Sequence, residues 1–188
     1  MPRYFAFLRA INVGRGRTVK MDILRRVFEE LGFSRVETII ASGNVVFETN
    51  RASAASLEKK IERGLVKAVG FEVETFVRTG DELAAIAALE PFPPAKRDAA
   101  AELNVIFLKA PPGEATARRV RLISTESDEF RVQGREVYWL RRRKAPGLYS
   151  TADLEKALDG PFTARAMKTI QKMAATDVGG SHAEKKRS

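Results

Sequence analysis

The order of apolar segments in the first half of the chain constrains the fold more than any other feature of this sequence. Short β-branched or aromatic runs, which are typical of strands, alternate with two longer segments whose apolar residues recur at helical spacing. The predicted elements are, in order, a strand at Tyr4–Leu8, a helix at Met21–Leu31, strands at Val36–Ala41 and Asn44–Glu48, a helix capped by Ser53 that ends near Val69, and a strand at Phe71–Arg78. This βαββαβ order is that of a ferredoxin-like subdomain, a four-stranded antiparallel sheet with both helices on one face.

A proline cluster separates this pattern from the rest of the chain. Pro91, Pro93 and Pro94 are followed by charged residues and mark the best internal boundary. Beyond it the predicted elements are a strand at Leu103–Leu108, a helix at Glu114–Val120, a hairpin of Glu129–Val132 and Glu136–Leu140, a helix from Ser150 or Thr151 to Leu158, and a last helix at Ala164–Ala174 capped by Thr163. We therefore predict an α+β fold: a ferredoxin-like subdomain at residues 1–90, a second, smaller α/β subdomain with the order β-α-β-β-α-α at residues 91–175, and a disordered basic tail at residues 176–188.

The charge balance favours partners that carry negative charge. The chain has 33 Lys and Arg against 24 Asp and Glu, which gives a net charge of +9 and a pI of about 10.0. Such a chain attracts nucleic acids, phosphorylated metabolites or acidic lipids. A basic surface that only maintains solubility explains the same balance, so composition alone does not identify a partner.

The residue types that most often carry metal or nucleophilic chemistry are scarce. The chain has no cysteine, and its one histidine, His182, lies in the hydrophilic tail. Disulfides, thiolate metal sites and cysteine nucleophiles are therefore excluded, and a histidine-based triad, zinc site or haem site is not expected. We predict no cofactor and no metal, assign no catalytic residue, and leave open whether the protein is an enzyme.

No segment of the sequence has the character of a membrane span or a secretion signal. The first residues combine one Arg with a short apolar run, and they lack a sustained apolar region and a small-residue cleavage site. No apolar run approaches the roughly 20 residues that cross a bilayer. The sequence therefore predicts a cytoplasmic protein without a membrane partner.

A basic loop follows the first strand and precedes the first helix. Arg9 lies at the carboxyl end of the strand, where open α/β layers usually place ligands, and the loop that follows contains Gly14 and Gly16. The spacing is neither that of a dinucleotide-binding loop nor that of a P-loop. Backbone N–H groups at the start of the helix are able to hold an anion there. A solvated loop without a ligand accounts equally well for the pattern.

The hairpin turn between the second and third strands is a further candidate site. The N–H groups and side chains of Ser42, Gly43 and Asn44 are able to converge on an anion. A Ser-Gly-Asn sequence more commonly forms a plain hairpin turn without a ligand.

The densest run of positive charge follows the strand that contains Tyr138 and Trp139. Basic residues beside aromatic rings are typical of nucleic-acid surfaces, where charge binds phosphate and rings stack on bases. An exposed loop that keeps a sheet edge from pairing is the alternative. The residues of this run are Arg141, Arg142, Arg143 and Lys144.

Several ordered segments resemble those of a bacterial family, the domain of unknown function 1697 family (DUF-1697). The segments are Tyr4–Gly14, Val19–Met21 with Leu24, Leu31–Phe33 and Ser42–Phe47. The resemblance implies an α+β fold with a ferredoxin-like part and a second subdomain in a cytosolic protein. It implies no activity, because the family is itself uncharacterised.

The carboxyl-terminal part departs from the family's pattern. Relatives carry a Thr-Ala-Arg-Asn-Trp-Asn-Thr motif, and this chain matches it at Thr163, Ala164, Arg165 and Thr169. The Asn-Trp-Asn positions are Ala166, Met167 and Lys168 here. The sequence does not decide whether this change removes the family's function.

The polar residues that match the resemblance lead to one hypothesis about function. In a βαββαβ layout a strand end, the following loop and a neighbouring hairpin meet, so these residues are predicted to line one cleft between the subdomains, closed by the helix that bears Arg165. Cationic side chains would bind a small phosphorylated or carboxylated ligand, and the turn residues would orient it. The predicted set is Arg9, Asn12, Lys20, Ser42, Gly43, Asn44 and Arg165. A nucleic-acid-binding module that uses Arg141–Lys144, and a protein-interaction module without catalysis, are the alternatives; the ligand's identity and the oligomeric state stay open.

Overall fold

The chain divides into two compact units. A computed structural model describes residues 1–11, 18–39, 43–142 and 151–180. Unit 1 comprises Met1–Ile86 together with Lys172–Ser188, and unit 2 comprises Ala87–Gln171.

Unit 1 contains a four-stranded antiparallel sheet in the strand order β2-β3-β1-β4. With two helices between its strands, it has the βαββαβ arrangement expected of a ferredoxin-like unit. Its elements are β1 (Arg3–Leu8), α1 (Met21–Glu30), β2 (Ser34–Thr38), β3 (Asn44–Glu48), α2 (Ala54–Val69) and β4 (Thr75–Thr79), and α3 (Gly80–Ala88) follows directly.

The core of unit 1 lies between one face of this sheet and the two helices. Every second residue of β1, beginning with Tyr4, faces the apolar stripes of α1 and α2, because strand side chains alternate and helical ones recur every three or four residues. Phe47 on β3 stacks with Tyr4 at 5.7 Å and with Phe33 at 4.5 Å between ring centroids. Aromatic burial of this kind fixes the register of the central strands.

Unit 2 repeats the same strand order with a different sequence. Its sheet runs β6-β7-β5-β8, again antiparallel throughout. The elements are α4 (Pro94–Asp98), β5 (Glu102–Phe107), α5 (Glu114–Leu122), β6 (Asp128–Gln133), β7 (Glu136–Arg141), α6 (Thr151–Leu158), β8 (Thr163–Ala166) and the first turn of α7 (Met167–Gly180), whose residues from Lys172 onward belong to unit 1. The predicted α+β class, with a ferredoxin-like part and a second α/β part, is confirmed.

One predicted element of unit 2 is wrong in its first turn. The sequence predicts a helix from Ala164, whereas Thr163–Ala166 is strand β8 and the helix begins at Met167. The strand pairs with β5, with Ala164 opposite Ile106 and Arg165 opposite Val105. Backbone pairing along an otherwise open sheet edge outweighs the helix preference of Ala and Arg, which is worth only tenths of a kcal/mol per residue. At its other end α7 continues to Gly180, past the predicted start of the tail, and residues 181–188 lie outside the described residues.

Asp159 joins the end of α6 to α5. Its backbone adopts a left-handed conformation (φ 57°), and its carboxylate accepts hydrogen bonds from the Thr116 hydroxyl and the Arg119 guanidinium. Arg119 also donates from Nε to the carbonyl of Ala157 at 2.9 Å. The hydrogen bonds from Thr116 and then Arg119 hold the pKa of Asp159 below its ordinary value of 3.8.

This clamp should lose its contribution to stability in acid. A carboxyl group whose pKa is lowered by folding stabilises the protein above its unfolded pKa, and that contribution disappears as the pH falls through the folded pKa. Urea unfolding should therefore show wild type more stable than Asp159→Asn near pH 7, with the difference shrinking below pH 3.8. Asp98→Asn is the control, because Asp98 is exposed and its side chain has no hydrogen bond within the described ranges. A difference that is independent of pH would contradict the assignment.

Candidate anion-binding cleft

Three residues of the site predicted from the sequence lie at one end of the central strands of the unit 1 sheet. The N–H of Leu8 donates to the carbonyl of Gly43 at 2.8 Å, and Asn44 is opposite Phe7 in the β1–β3 register. Arg9 follows directly after β1. The structure therefore brings Arg9, Gly43 and Asn44 to the edge where β1 ends and β3 begins.

The side chains at this edge are already engaged in contacts within unit 1. Arg9 Nη1 lies 2.8 Å from Glu74 Oε2, so its charge is paired with a carboxylate. Asn44 is only 1% exposed and donates from Nδ2 to the carbonyl of Ile39 at 3.2 Å, which closes the β2–β3 hairpin. These contacts give both residues a structural task in the absence of a ligand.

The remaining members of the predicted set lie elsewhere or outside the described residues. Lys20 is exposed at the start of α1, where its carbonyl accepts hydrogen bonds from the first turn. Asn12 and Ser42 lie outside the described residues.

Arg165 belongs to unit 2 and lies on β8, so its predicted placement on a helix is wrong. Its Nη1 donates to Thr163 Oγ1 and to the carbonyl of Ala164, both at 2.8 Å. Burial lowers the pKa of Arg165 to about 10, which leaves the guanidinium charged at neutral pH.

The described part of the predicted nucleic-acid run is paired with acidic side chains. Arg142 Nη2 lies 3.5 Å from Glu129 Oε2, and Arg141 Nε lies 3.6 Å from Asp128 Oδ1. Arg143 and Lys144 lie outside the described residues. Arg142 is therefore paired with a carboxylate of the protein itself, and this pairing does not favour the nucleic-acid alternative.

A cleft of about 720 Å³ opens at one edge of the unit 2 sheet. At this edge β5 begins and both β7 and β8 end, since Glu102 is opposite Arg141 and Asn104 is opposite Ala166. The residues that line it come from α4 and the segment after it, from β5, from the end of β7, and from the β8–α7 junction. They are Arg97, Ala100, Ala101, Glu102, Leu103, Arg141, Ala166, Met167, Lys168 and Gln171.

Positive charge dominates the lining of this cleft. Arg97, Arg141 and Lys168 face one carboxylate, that of Glu102. Arg97 donates from Nη1 to Glu90 at 2.9 Å, while its Nε is buried and has no hydrogen-bond acceptor among the described atoms. Lys168 is exposed and forms no ion pair with any residue that the structure describes. The cleft therefore combines a buried donor with a cation that no carboxylate of the described residues neutralises.

Arg141 is held at the cleft by contacts behind it. Its guanidinium carbon lies 4.8 Å from the centroid of the Trp139 ring, and its Nη1 lies 3.8 Å from Glu102 Oε2. Trp139 in turn donates from Nε1 to Asp128 Oδ1 at 2.7 Å, and the Asp128 side chain is only 5% exposed. Ring stacking and a buried carboxylate thus fix the position of this guanidinium.

The sequence indicates parts of this cleft separately. Its pattern places Arg141 in a candidate nucleic-acid run, and Ala166, Met167 and Lys168 stand out only as departures from the family's pattern. Arg97 is one of the charged residues after the proline cluster. The missing information was the pairing of β5 with both β7 and β8, which brings these distant segments to one edge.

A metal-binding cluster and a membrane-spanning helix are both absent from the part of the chain that the structure describes. That part contains no cluster of three or more His, Cys, Asp or Glu side chains arranged to hold a metal ion. Nor does any helix in the same residues have the length and apolar character required to cross a membrane.

Comparison with known proteins relates the chain to a family and to a solved fold. A family model described as "Protein of unknown function (DUF1697)" matches residues 1–138. The structure is similar to that of the conserved bacterial protein SP0830 from Streptococcus pneumoniae, with a TM-score of 0.67, 23% sequence identity, and coverage of 94% of this chain and 98% of that one. At 23% sequence identity, this structural similarity shows that the two proteins share a fold and says nothing more about this chain. A search of curated proteins finds no match.

Proposed function

The chain belongs to the DUF1697 family of proteins of unknown function, and we propose that it binds a small phosphorylated or carboxylated ligand in the cleft of unit 2. The observation that carries this proposal is the convergence of Arg97, Arg141 and Lys168 on a lining with a single carboxylate. The cytoplasmic location predicted from the sequence remains part of the proposal.

The energetics of the cleft support an anion. A buried donor without an acceptor costs about 1–3 kcal/mol, and an oxygen of an anionic ligand would supply the acceptor for Arg97 Nε. Hydrogen bonds between a cation and a carboxylate or phosphate are roughly twice as strong as neutral ones. The volume of about 720 Å³ lies in the range typical of small-molecule sites, roughly 300–1,000 Å³.

The edge of unit 1 that carries Arg9, Gly43 and Asn44 remains a second location for an anion site. It is less favoured because a ligand there would compete with Glu74 for Arg9, at 2.8 Å. The full set predicted from the sequence, with Lys20 and Arg165, is tested by a thermal-shift ligand screen carried out on Arg9→Ala.

Replacing Lys168 by methionine should weaken the binding of small anions by roughly tenfold to a hundredfold, because one charge-assisted contact of about 1.5–3 kcal/mol is lost. Methionine keeps the length and apolar stem of lysine, and the exposed site imposes no packing demand. The measurement is a thermal-shift screen of carboxylates, sugar phosphates, nucleotides and short oligonucleotides at low and high salt. A ligand at a hundred times its dissociation constant adds about 2.7 kcal/mol of stability.

Lys156→Met is the matched control, because Lys156 is an exposed lysine of α6 that does not line the cleft. The proposal requires a hit that Lys168→Met weakens and Lys156→Met does not. A hit lost only in Arg9→Ala would move the site to unit 1. Binding of oligonucleotides alone, abolished by salt, would favour a nucleic-acid module, and no hit with any anion would favour a protein-interaction module.

A further inference from the structure

We infer that the ligand of the unit 2 cleft is a phosphate monoester, a dianion attached to a small organic group without further negative charge. The inference rests on the proposed function and names the chemical class that the lining fits best. Three features of the cleft select it: the excess of positive charge, the separation of the cations along the chain and in the fold, and the neutral remainder of the surface.

The charge of the lining matches a dianion. Arg97, Arg141 and Lys168 carry three positive charges, and Glu102 carries one negative charge. Arg141 is balanced by Glu102 at 3.8 Å and by Asp128 at 3.6 Å. Arg97 is paired with Glu90 at 2.9 Å, but the Glu90 side chain is 64% exposed, and water screens a surface ion pair of this kind. Lys168 has no ion pair with a described residue, so Arg97 and Lys168 remain able to bind a ligand. A phosphate monoester carries about −1.5 to −2 at neutral pH, whereas a carboxylate or a phosphodiester carries a single negative charge.

The cations come from three separate elements. Arg97 lies on α4, Arg141 at the end of β7, and Lys168 in the first turn of α7. A carboxylate presents two oxygens in one plane, which suits a single guanidinium. A phosphate monoester presents three terminal oxygens in three directions, so it can accept hydrogen bonds from donors carried by three separate elements.

The rest of the lining fits an organic group that is not charged. Ala100, Ala101, Leu103, Ala166 and Met167 provide apolar surface, and the volume of about 720 Å³ leaves space beyond a phosphate group. Glu102 opposes a second phosphate by like-charge repulsion, and its carboxylate can accept hydrogen bonds from hydroxyl or amino groups of the ligand. Diphosphates and triphosphates are therefore disfavoured.

The chain supplies its own reporter for this site. Trp139 is the one tryptophan in the sequence, and its ring lies against the guanidinium of Arg141. A ligand that draws on the Arg141 charge should alter the environment of the indole. Titrations can therefore be followed by intrinsic fluorescence of the full-length protein, with isothermal calorimetry as an independent measure.

The test compares ligands that differ only in the charged group. Phenyl phosphate and a nucleoside monophosphate are each titrated beside their methyl diesters, with benzoate and inorganic phosphate as further probes. The monoesters should bind at least about tenfold more tightly than the diesters and benzoate. Each diester, like benzoate, carries one negative charge fewer than the monoester and offers one fewer terminal oxygen to the donors of the cleft. Inorganic phosphate should bind more weakly than either monoester, because it leaves the apolar lining unfilled.

The pH dependence gives a second criterion. The monoester should lose its advantage as the pH falls below about 6, where the phosphate takes up its second proton, while the diester should bind equally on both sides of that value. Lys168→Met should reduce the preference for monoester over diester, and Lys156→Met should leave it intact.

The outcomes separate this inference from the proposed function. If diesters or benzoate bind as tightly as the monoesters, and Lys168→Met weakens all of them, the cleft binds anions but the assignment of a phosphate monoester is wrong. If no probe changes the fluorescence or the heat signal, or if Lys168→Met and Lys156→Met behave alike, the proposed anion site itself is wrong.

Discussion

Replacing Gly43 by alanine should destabilise the protein by about 3 kcal/mol. Gly43 adopts a left-handed backbone (φ 72°), which costs an L-residue about 1 kcal/mol. A Cβ at this position would lie 2.7 Å from Cγ1 of Ile11 and 3.1 Å from Cβ of Leu8. Both neighbours are at most 1% exposed, so they have little space to move, and overpacking of this kind costs about 1–3 kcal/mol. Urea unfolding of wild type and Gly43→Ala measures the difference.

Gly70→Ala separates the two causes. Gly70 has nearly the same backbone conformation (φ 79°), but apart from its two chain neighbours no described residue has an atom within 4 Å of a Cβ placed there. It should therefore show only the conformational cost, about 1 kcal/mol. If Gly43→Ala proved no more destabilising than Gly70→Ala, the tight packing of Ile11 and Leu8 around the turn would be disproved.

The turn at Ser42, Gly43 and Asn44 shows why an anion-binding turn and a packing turn have similar sequences. These residues predict a turn able to hold an anion, because small and polar residues are enriched both in turns and in anion sites. In the structure Gly43 allows close packing against Ile11, and Asn44 closes the hairpin on the carbonyl of Ile39. The two roles require the same residue types, so the local sequence does not separate them.

Elements with strong local signals were predicted nearly at their observed bounds. The helix predicted at Met21–Leu31 is observed at Met21–Glu30, because its apolar stripe recurs at helical spacing. Ser53 caps α2 as predicted, with its hydroxyl accepting from the N–H of Ser56 at 3.2 Å. In both cases the determining interactions lie within a few residues of one another.

Features that depend on distant pairing were not predictable in this way. Strand β8 is a strand because β5 offers it a partner, although Ala164 and Arg165 favour a helix locally. The cleft of unit 2 has the same origin, since Arg97, Arg141 and Lys168 meet only when β7 and β8 flank β5. Register between segments this far apart is not encoded in the spacing of either segment alone.

Replacing Glu58 by alanine should be similarly costly, at about 3 kcal/mol. Glu58 lies on α2, is only 3% exposed, and accepts a hydrogen bond at Oε1 from the N–H of Val77 at 2.9 Å. One turn later Glu62 accepts from the N–H of Thr75 at 3.0 Å. Both N–H groups belong to β4, the last strand in the sheet order, and no further strand of the described residues pairs with it. Removing the Glu58 carboxylate would leave the N–H of a fully buried residue without this acceptor.

Glu58→Gln distinguishes the hydrogen bond from general helix effects. Its amide oxygen still accepts from Val77, so it should cost about 1 kcal/mol, the difference between a charge-assisted and a neutral hydrogen bond. Glu30→Ala is the control for losing an exposed helical glutamate, because the Glu30 side chain has no hydrogen-bond partner in the described part of the chain. This substitution should be nearly neutral. Guanidinium unfolding provides the free energies, and light scattering reports association.

The same carboxylates protect the sheet edge. An edge strand with unsatisfied N–H groups is a template for pairing with another chain, and Glu58 and Glu62 occupy two such groups on β4. Glu58→Ala should therefore raise the tendency to associate as well as lower stability, whereas Glu58→Gln should change association little. If Glu58→Ala lost stability without any increase in light scattering at high protein concentration, the carboxylates would stabilise α2 against β4 without guarding the edge.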